Sequence, residues 1–578
     1  MLRSGKLLDN REMRPILGFL IICIALLAGS CSSRTNPAAD FEKLTQDFIY
    51  GALALSPVSA TGNGYHVHNG VPLDELLDDY SAGGLDQQRN FYKDFQMRIA
   101  AMDATKLDRE QRVDLDIIKN NIDLGLLEMD TIQSYKHNPT IYVELAGNAL
   151  FTPYMLNYAP LEKRFDHIIK RLERLPALFD QAKASLVDAP EVWNRVAQEE
   201  NDGNIGLIDK TLRDAAPESR KAAYGQAADK ALAAVRDFNS FLKGNLSAHT
   251  SDWRLGKERY AKKFALVLAS GRTPEDLLAA AETDLKTVRD TMAKLAAPKT
   301  VEQALADIAK KHATPDTYLP QARETLAQAT AFVKEKDLLT LPARSNLQVI
   351  ETPEFMRGIY GVGGFNAAPP LEPQLGAFYW ITPIPKGWPA ARVESKLREY
   401  NNYGLQQLTI HEAMPGHYVQ LEYANDVQPV PRRLLRTIFA NTPYVEGWAV
   451  YTQQMMSDAG YMNNSKELSL TFYKQILRVL ANTILDVRLQ TMGMTDHQAL
   501  DLMMKDTYQE KEEATAKLQR AQLSSCQLPT YFVGWKGWLD VREHYKQRKG
   551  AAYSLKEFNE RALKESGVPL PALDTLLQ

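Results

Sequence analysis

The segment His411–His417, with the sequence HEAMPGH, restricts the local fold more than any other part of this chain. Imidazole nitrogens bind zinc well, and a glutamate beside them is suited to accept a proton from a water molecule. Histidines share a face of an ideal helix when they are four residues apart, but these two are six apart. Pro415 also lacks an amide hydrogen, and its ring collides with the carbonyl group four residues earlier. Either the helix bulges at Pro415-Gly416, or His417 is not a ligand.

A second motif, Thr442–Tyr451, offers a third ligand. We predict that Thr442 caps a helix that Pro443 opens, and Gly460 can end that helix. Glu446 then lies in the first turns, where an acid could also simply interact with the helix dipole. Beside the histidine motif we favour the ligand role. Three protein ligands leave a fourth position open, as in catalytic zinc sites. We therefore predict one Zn²⁺ ion, with manganese or cobalt as alternatives.

Composition excludes several classes of protein. The chain has 578 residues, of which 45% are hydrophobic and 24% charged, and these are globular proportions. Its net charge of −3 lacks the basic excess of a nucleic-acid binder, so we predict no nucleic-acid partner. Three cysteines do not provide a disulfide framework.

The N-terminal segment predicts attachment to a membrane. Residues 16–29 form an uncharged apolar run, which is short for a membrane span of about 20 residues and typical of a signal peptide. Ala28–Cys31 resembles a bacterial lipobox. We predict a lipoprotein signal peptide at 1–30, a tether at 31–42 and lipidation of Cys31, which would place the protein in the cell envelope, on the outer membrane facing the periplasm. An uncleaved N-terminal anchor is the alternative.

The rest of the chain predicts a mainly α fold. Residues 43–345 show helical periodicity almost throughout. Residues 346–388 are rich in glycine and proline and include the β-prone run Ala377–Thr382, which predicts a small sheet before the metal-binding helix. Helical patterns then return. We expect residues 346–578 to form the catalytic region, in one structural unit with 43–345.

The two motifs resemble the family called domain of unknown function 885. The matching segments are His411–Gln420 and Glu446–Tyr451, and the resemblance extends from about residue 43 to the C-terminus. That family is grouped with the glutamate-ligated zinc peptidases, the broad clan of thermolysin and the helical Taq-type carboxypeptidases. The resemblance implies a bowl-shaped helical fold, with His411, His417 and Glu446 as metal ligands and Glu412 as general base.

The family also has a C-terminal pattern of an arginine, a Pro-Gly-Gln, and a Ser-Tyr pair before a glycine. This chain keeps Arg520, Gln527, Tyr531 and Gly534 but lacks the Pro-Gly. A phenol near the metal can donate a hydrogen bond to a developing oxyanion, and we assign that role to Tyr531. The alternative is a packed aromatic ring with a surface hydroxyl.

These residues predict a zinc-dependent metallopeptidase that hydrolyses peptide bonds in short peptides, with Glu412 as general base. A first alternative is an amidase that acts on cell-wall peptides. A second is a lipoprotein that binds metal or peptide without turnover, although such a protein has no need of a base beside the metal.

Four other features are candidates for roles at or near the site. His544 could lie near the site or on the surface. Arg478 could form an ion pair with Asp486, or it could bind a substrate carboxylate. The strand Phe378–Thr382 could bind an extended peptide as a sheet edge, or it could be core. The remaining histidines have no metal-ligand spacing; they are His66, His68, His137, His167, His249, His312 and His497.

Overall fold

The structure, a computed structural model, describes residues 37–353, 357 and 361–578. The predicted signal peptide and Cys31 lie outside the described residues. The first helix begins at Pro37, so the last residues of the segment predicted as a tether are helical.

The chain is mainly α, as predicted. The helices before the sheet are α1 (Pro37–Leu55), α2 (Pro57–Gly62), α3 (Ala82–Ala100), α4 (Arg109–Leu127), α5 (Thr140–Met155), α6 (Leu161–Ser185), α7 (Glu191–Gly206), α8 (Arg213–Ala215), α9 (Lys221–Lys243), α10 (Gly256–Leu268), α11 (Pro274–Ala296), α12 (Val301–Ala309) and α13 (Tyr318–Glu335). The helices after it are α14 (Ala390–Glu399), α15 (Asn402–Glu412), α16 (His417–Ala424), α17 (Val430–Ile438), α18 (Thr442–Asp458), α19 (Lys466–Thr491), α20 (Asp496–Asp501), α21 (Lys511–Leu523), α22 (Thr530–Lys549), α23 (Leu555–Lys564) and α24 (Leu570–Leu576).

The described part of the chain also contains five short strands. They are β1 (Val67–His68), β2 (Val71–Pro72), β3 (Leu347–Glu351), β4 (Gly363–Asn366) and β5 (Ala377–Ile381). The last three form the small sheet predicted before the metal-binding helix. Its order is β3-β5-β4, with β3 parallel and β4 antiparallel to β5.

Local side-chain caps explain where several helices begin. The hydroxyl of Thr273 accepts a hydrogen bond from the amide of Asp276, and Pro274 occupies the first turn of α11. The amide oxygen of Asn401 accepts from the amides of Tyr403 and Gly404 at the start of α15. The cap at Asn401 therefore fixes the start of the helix that carries His411.

One hydrophobic core joins the parts of the chain before and after residue 345. Phe48 of α1, Tyr379 of β5 and Trp448 of α18 are all fully buried and belong to the same cluster. A second cluster packs α11 against α19, and a third surrounds α5, α6 and α9. Within the described part of the chain, none of the helices has the length and apolar character needed to cross a membrane.

Candidate metal centre

The helix that carries His411 is interrupted where the sequence predicts. Helix α15 ends at Glu412, and α16 begins at His417. Pro415-Gly416 thus lies in a full break between two helices rather than in a bulge within one helix. The change of direction at this break brings the two histidines to one point although six positions separate them in the chain.

The break is held by close backbone packing. A Cβ atom on Gly416 would collide with the carbonyl oxygens of Ile410 and His411, so only glycine fits. The indole nitrogen of Trp448 donates hydrogen bonds to the carbonyl oxygens of Pro415 (2.9 Å) and Gly416 (3.2 Å). Helix α18 is therefore bonded directly to the turn between α15 and α16.

Helix α18 places Glu446 beside the histidines. It begins at Thr442, but its cap is Asn441, whose side chain accepts a hydrogen bond from a first-turn amide. The prediction that Thr442 caps was wrong by one residue, because Asn441 supplies a better-placed acceptor. Gly447, next to Glu446, faces Gly534 of α22, and a Cβ atom on either glycine would overlap the backbone of the other.

The three predicted ligands converge. The Nε2 atoms of His411 and His417 each lie 3.5 Å from the same oxygen, Oε2 of Glu446. One potential ligand atom from each residue lies within 4.8 Å of the other two. The imidazole rings are 4.8 Å apart between centroids and nearly perpendicular, with an interplanar angle of 85°. Among the described residues, these three form the one group whose His, Cys, Asp or Glu side chains meet in this way.

This arrangement fits a metal ion. Oε2 of Glu446 is buried and makes no hydrogen bond to any described residue, which is a costly state for a carboxylate without a cation. Burial by itself raises the pKa of Glu446, but close contacts with His411 and His417 outweigh it and hold that pKa far below its usual value. Burial lowers the pKa of His417, and contact with Glu446 more than reverses this. Two imidazoles and one carboxylate are a donor set of catalytic zinc sites.

Glu412, Tyr531 and His411 line a cavity of about 470 Å³. The cavity is lined by residues of α12, α14, α15, α18, α19, α21 and α22 and by the start of β4. The general base predicted from the sequence thus lies beside the ligands and lines a space that can hold a substrate.

Tyr531 is held in place by two other residues of the C-terminal pattern. Its hydroxyl accepts hydrogen bonds from Arg520 (3.1 Å) and Gln527 (3.4 Å), and Arg520 also donates to Gln527 (2.9 Å). Its ring stacks on His411 at 6.3 Å between centroids. Burial raises the pKa of Tyr531, partly offset by Arg520, so the phenol keeps its proton at neutral pH and can donate it to a hydrogen bond.

The predicted ion pair between Arg478 and Asp486 is wrong. Eight helical residues span about 12 Å along α19, which is too far for a direct contact. Arg478 instead pairs with Glu513 of α21. Asp486 accepts hydrogen bonds from the hydroxyl of Tyr260 (2.6 Å) and the amide of Cys526 (2.9 Å).

Of the two interpretations of Phe378–Thr382, the one as a sheet edge is wrong. Strand β5 is central, paired on both sides, and all five of its residues are buried. The alternative interpretation as core is confirmed. In the described sheet the edges are β3 and β4, and Gly363 of β4 lines the cavity.

None of the other described histidines joins the group formed by His411, His417 and Glu446. His544 is exposed and paired with Asp574 (2.9 Å), which confirms a surface position. The ring nitrogens of His66 lie 2.9 Å from a carboxylate oxygen of Asp74 and 3.1 Å from one of Glu372. No local sequence pattern predicts this pairing.

Among the charged residues of the cavity, Lys517 is one that was not singled out from the sequence. It is 6% exposed and lines the same cavity as Glu412. Its spacing from Arg520 on α21 was the available signal, because residues three apart share a helix face.

Comparison with known proteins places this chain in a family. The family described as "Bacterial protein of unknown function (DUF885)" matches residues 57–577, which is almost the whole chain. The chain belongs to DUF885. A comparison of this DUF885 protein with curated proteins finds no match.

Solved structures show the same fold. A candidate lipoprotein of unknown function from Shewanella oneidensis is 30% identical, with a TM-score of 0.77, over 93% of this chain and 99% of that one. A candidate lipoprotein from Colwellia psychrerythraea is 18% identical with the same TM-score, over 94% and 98% of the two chains. A third structure, Trypanosoma cruzi metallocarboxypeptidase 1, has a TM-score of 0.35 and 10% identity, which is too low to indicate a shared function.

Proposed function

We propose that this DUF885 protein is a zinc-dependent metallopeptidase of the glutamate-ligated clan that hydrolyses peptide bonds in short peptides. The observation that carries the proposal is the convergence of His411, His417 and Glu446 beside Glu412. His411, His417 and Glu446 would hold the ion. Bound zinc would supply Lewis acidity, which polarises a carbonyl group and lowers the pKa of a water molecule.

Glu412 moves the proton in this mechanism. Its carboxylate accepts a proton from the water molecule as the water oxygen attacks the peptide carbonyl carbon. When the carbon–nitrogen bond breaks, Glu412 returns that proton to the leaving amine. The products are a free carboxyl group and a free amino group.

Tyr531 stabilises the charge that develops on the attacked carbonyl. Its phenol keeps a proton to donate, and Arg520 and Gln527 fix its position before substrate arrives. A donor positioned in advance stabilises the transition state more than a mobile one, because it needs no reorganisation.

The cavity favours short peptides. A volume of about 470 Å³ lies in the range of small-ligand sites, and helices surround it on several sides. A few residues of an extended peptide fit such a space, whereas a folded protein does not.

We also propose that the protein is lipid-anchored in the bacterial envelope through Cys31. The lipobox-like sequence before Cys31 supports this proposal, as does the 30% identity to a candidate lipoprotein of Shewanella oneidensis.

Cleavage of short peptides by wild type and by Glu412→Gln tests the function. We expect zinc-dependent cleavage by wild type and a loss of about 10²- to 10⁴-fold in kcat for the variant, since it lacks the base. Glu302→Gln is the matched control, because Glu302 is exposed on the same cavity without a role in the mechanism. Equal cleavage by Glu412→Gln and wild type would contradict the mechanism. Peptide binding without any cleavage by wild type would favour a binding protein.

A further inference from the structure

We propose that Lys517 and Arg520 form a binding site for the C-terminal carboxylate of the peptide substrate. The inference rests on the proposed peptidase function and adds to it a substrate class, peptides with a free C-terminus. It follows from the pairing of charges around the cavity.

Three of the six lysine and arginine side chains that line the cavity are neutralised by acids. Lys474 pairs with Glu399 at 2.8 Å, and Arg398 pairs with Glu510 at 3.1 Å. Arg478 pairs with Glu513, as described above. Because an acid already neutralises each of these three cations, they attract a bound anion only weakly.

Lys517 differs from them. It is 6% exposed and lines the cavity, yet it forms no hydrogen bond or ion pair with any described residue. Glu513, one turn earlier on α21, is engaged by Arg478 and by the hydroxyl of Tyr400 (3.0 Å). Burial, together with the charges of Arg478 and Arg520, lowers the pKa of Lys517 well below its usual value. A bound anion would raise this pKa again and favour the charged ammonium form of Lys517, which can then hold the anion.

Arg520 presents a second cation on the same helix face. Its hydrogen-bond partners are the neutral groups of Gln527 and Tyr531, and its side chain is exposed to solvent in the cavity. Lys517 and Arg520 are three residues apart, so their charged ends reach the same region. Neither side chain forms an ion pair with an acid of the described chain, although the charges of Glu446 and Glu513 act on Lys517 and that of Glu446 acts on Arg520. Together Lys517 and Arg520 make an anion site inside a cavity that also holds the proposed catalytic groups.

The position of this site relates it to the bond that is cleaved. Arg520 bonds to Tyr531, and the ring of Tyr531 stacks on His411. A carboxylate held by Arg520 and Lys517 therefore lies close to the peptide bond attacked beside His411. The geometry points to removal of residues from the C-terminal end.

Peptide binding to zinc-loaded Glu412→Gln protein measures this preference without turnover. The probes are an N-acetylated tripeptide of alanine with a free C-terminus, the same peptide amidated, and an amidated peptide ending in glutamate. We expect the free acid to bind at least about tenfold more tightly than its amide, because charge-assisted hydrogen bonds discriminate on this scale. Adding Lys517→Met should remove the preference, and Lys517→Arg should keep most of it. Lys511→Met is the control, since Lys511 is an exposed residue of α21 on the same cavity.

A second readout separates binding from a structural role. Lys517→Met should unfold at the same temperature as the parent protein or a higher one, because it replaces a buried amine that has no hydrogen-bond partner by an apolar side chain. A clear fall in unfolding temperature would assign Lys517 to the fold instead.

The remaining outcomes each decide one claim. Equal binding of acid and amide, or no binding of any probe, overturns the carboxylate site. Equal binding of the free acid and the amidated glutamate peptide overturns its assignment to the terminal carboxylate. If wild type cleaves acid and amide equally, the site fails and the peptidase stands. If the acid preference is present but wild type cleaves nothing, the peptidase fails and the site stands.

Discussion

Glu412 and Tyr531 line the same cavity, but their surroundings suit them to different tasks. Glu412 ends α15 directly after a proposed ligand, where a carboxylate can reach a water molecule near the ion. Tyr531 is fixed by two donors and keeps its proton. One residue is therefore suited to accept a proton and the other to donate a hydrogen bond.

Replacing Tyr531 by phenylalanine should separate these tasks. The ring can still stack on His411, but the hydrogen bond to the oxyanion is lost. We expect kcat to fall about 10²- to 10³-fold with little change in KM, because the interaction forms mainly in the transition state. Steady-state kinetics with a short peptide measure this, with Tyr508→Phe on the same cavity as control. An unchanged kcat would assign Tyr531 to packing alone.

The sequence indicated the three residues that converge in the structure, because local spacing marks them. His411, His417 and Glu446 could be predicted because a proline forbids the regular helix and a helix start precedes the glutamate. The ion-pair partner of Arg478 could not be predicted, because Glu513 lies on another helix, α21. Lys517 stayed hidden because burial against the cavity depends on how α21 packs on α19.

The break between α15 and α16 depends on α18 for support. We expect Trp448→Phe to weaken metal affinity about 10- to 100-fold, because two carbonyl groups at the break lose the indole hydrogen bond that positions His417. Trp538→Phe is the matched control: its indole is equally buried but donates to the carbonyl oxygen of Tyr444. A competition titration with a metal-binding dye compares the two. Equal affinities would show that the break needs no support from Trp448.

Helices α18 and α22 approach each other at Gly447 and Gly534, and we expect a larger residue at either position to destabilise the protein. Gly534→Ala inserts a methyl group into the backbone of Gly447, so we expect a loss of about 1–3 kcal/mol in unfolding free energy, or more. Gly203→Ala in α7 is the control, because its Cβ atom would meet no atom within 4 Å. It should be neutral or stabilising by about 0.5–1 kcal/mol. Chemical denaturation of both variants measures the difference, and equal stabilities would contradict the close approach.

The sequence predicts where a helix or strand lies better than it predicts which other elements pack or pair with it. Pro415 predicts a break from local sterics alone, and the structure confirms it. The order of the sheet could not be predicted, because β5 lies between β3 and β4 and its parallel partner arrives from earlier in the chain. The error at Phe378–Thr382 has this cause: aromatic and β-branched residues predict a strand but not its place in the sheet.

Global stability should depend on pH through Asp486. Burial raises the pKa of Asp486 from its usual 3.8 to about 7, despite hydrogen bonds from Tyr260 and Cys526. The folded state thus holds a proton that the unfolded state releases between about pH 4 and 7. This contribution to stability is complete below pH 4 and is lost as the pH rises through 7.

Comparison with Asp486→Asn isolates this effect, because asparagine stays neutral at every pH. Relative to the variant, wild type should lose up to about 1.4 kcal/mol per pH unit across that window. Chemical denaturation at pH 5, 6, 7 and 8 measures the difference. A difference that does not change with pH would show that Asp486 keeps an ordinary pKa.

The mainly α class of the whole molecule could be predicted because helical periodicity is local and repeated. The hydrophobic core is shared by the parts of the chain before and after residue 345. Its cluster contains Phe48, Tyr379 and Trp448, which are far apart in the chain. Contacts between such distant residues leave no local pattern, so the sequence indicated the class of fold but not its packing.

Zinc binding by chelator-treated protein decides whether the convergence of His411, His417 and Glu446 is a metal centre. We predict one tightly bound zinc ion per wild-type chain in a titration followed by elemental analysis. The site should be lost in His417→Gln and Glu446→Gln, and Glu412→Gln should retain it. Wild-type protein that takes up no stoichiometric metal would contradict the proposed centre and the chemistry built on it.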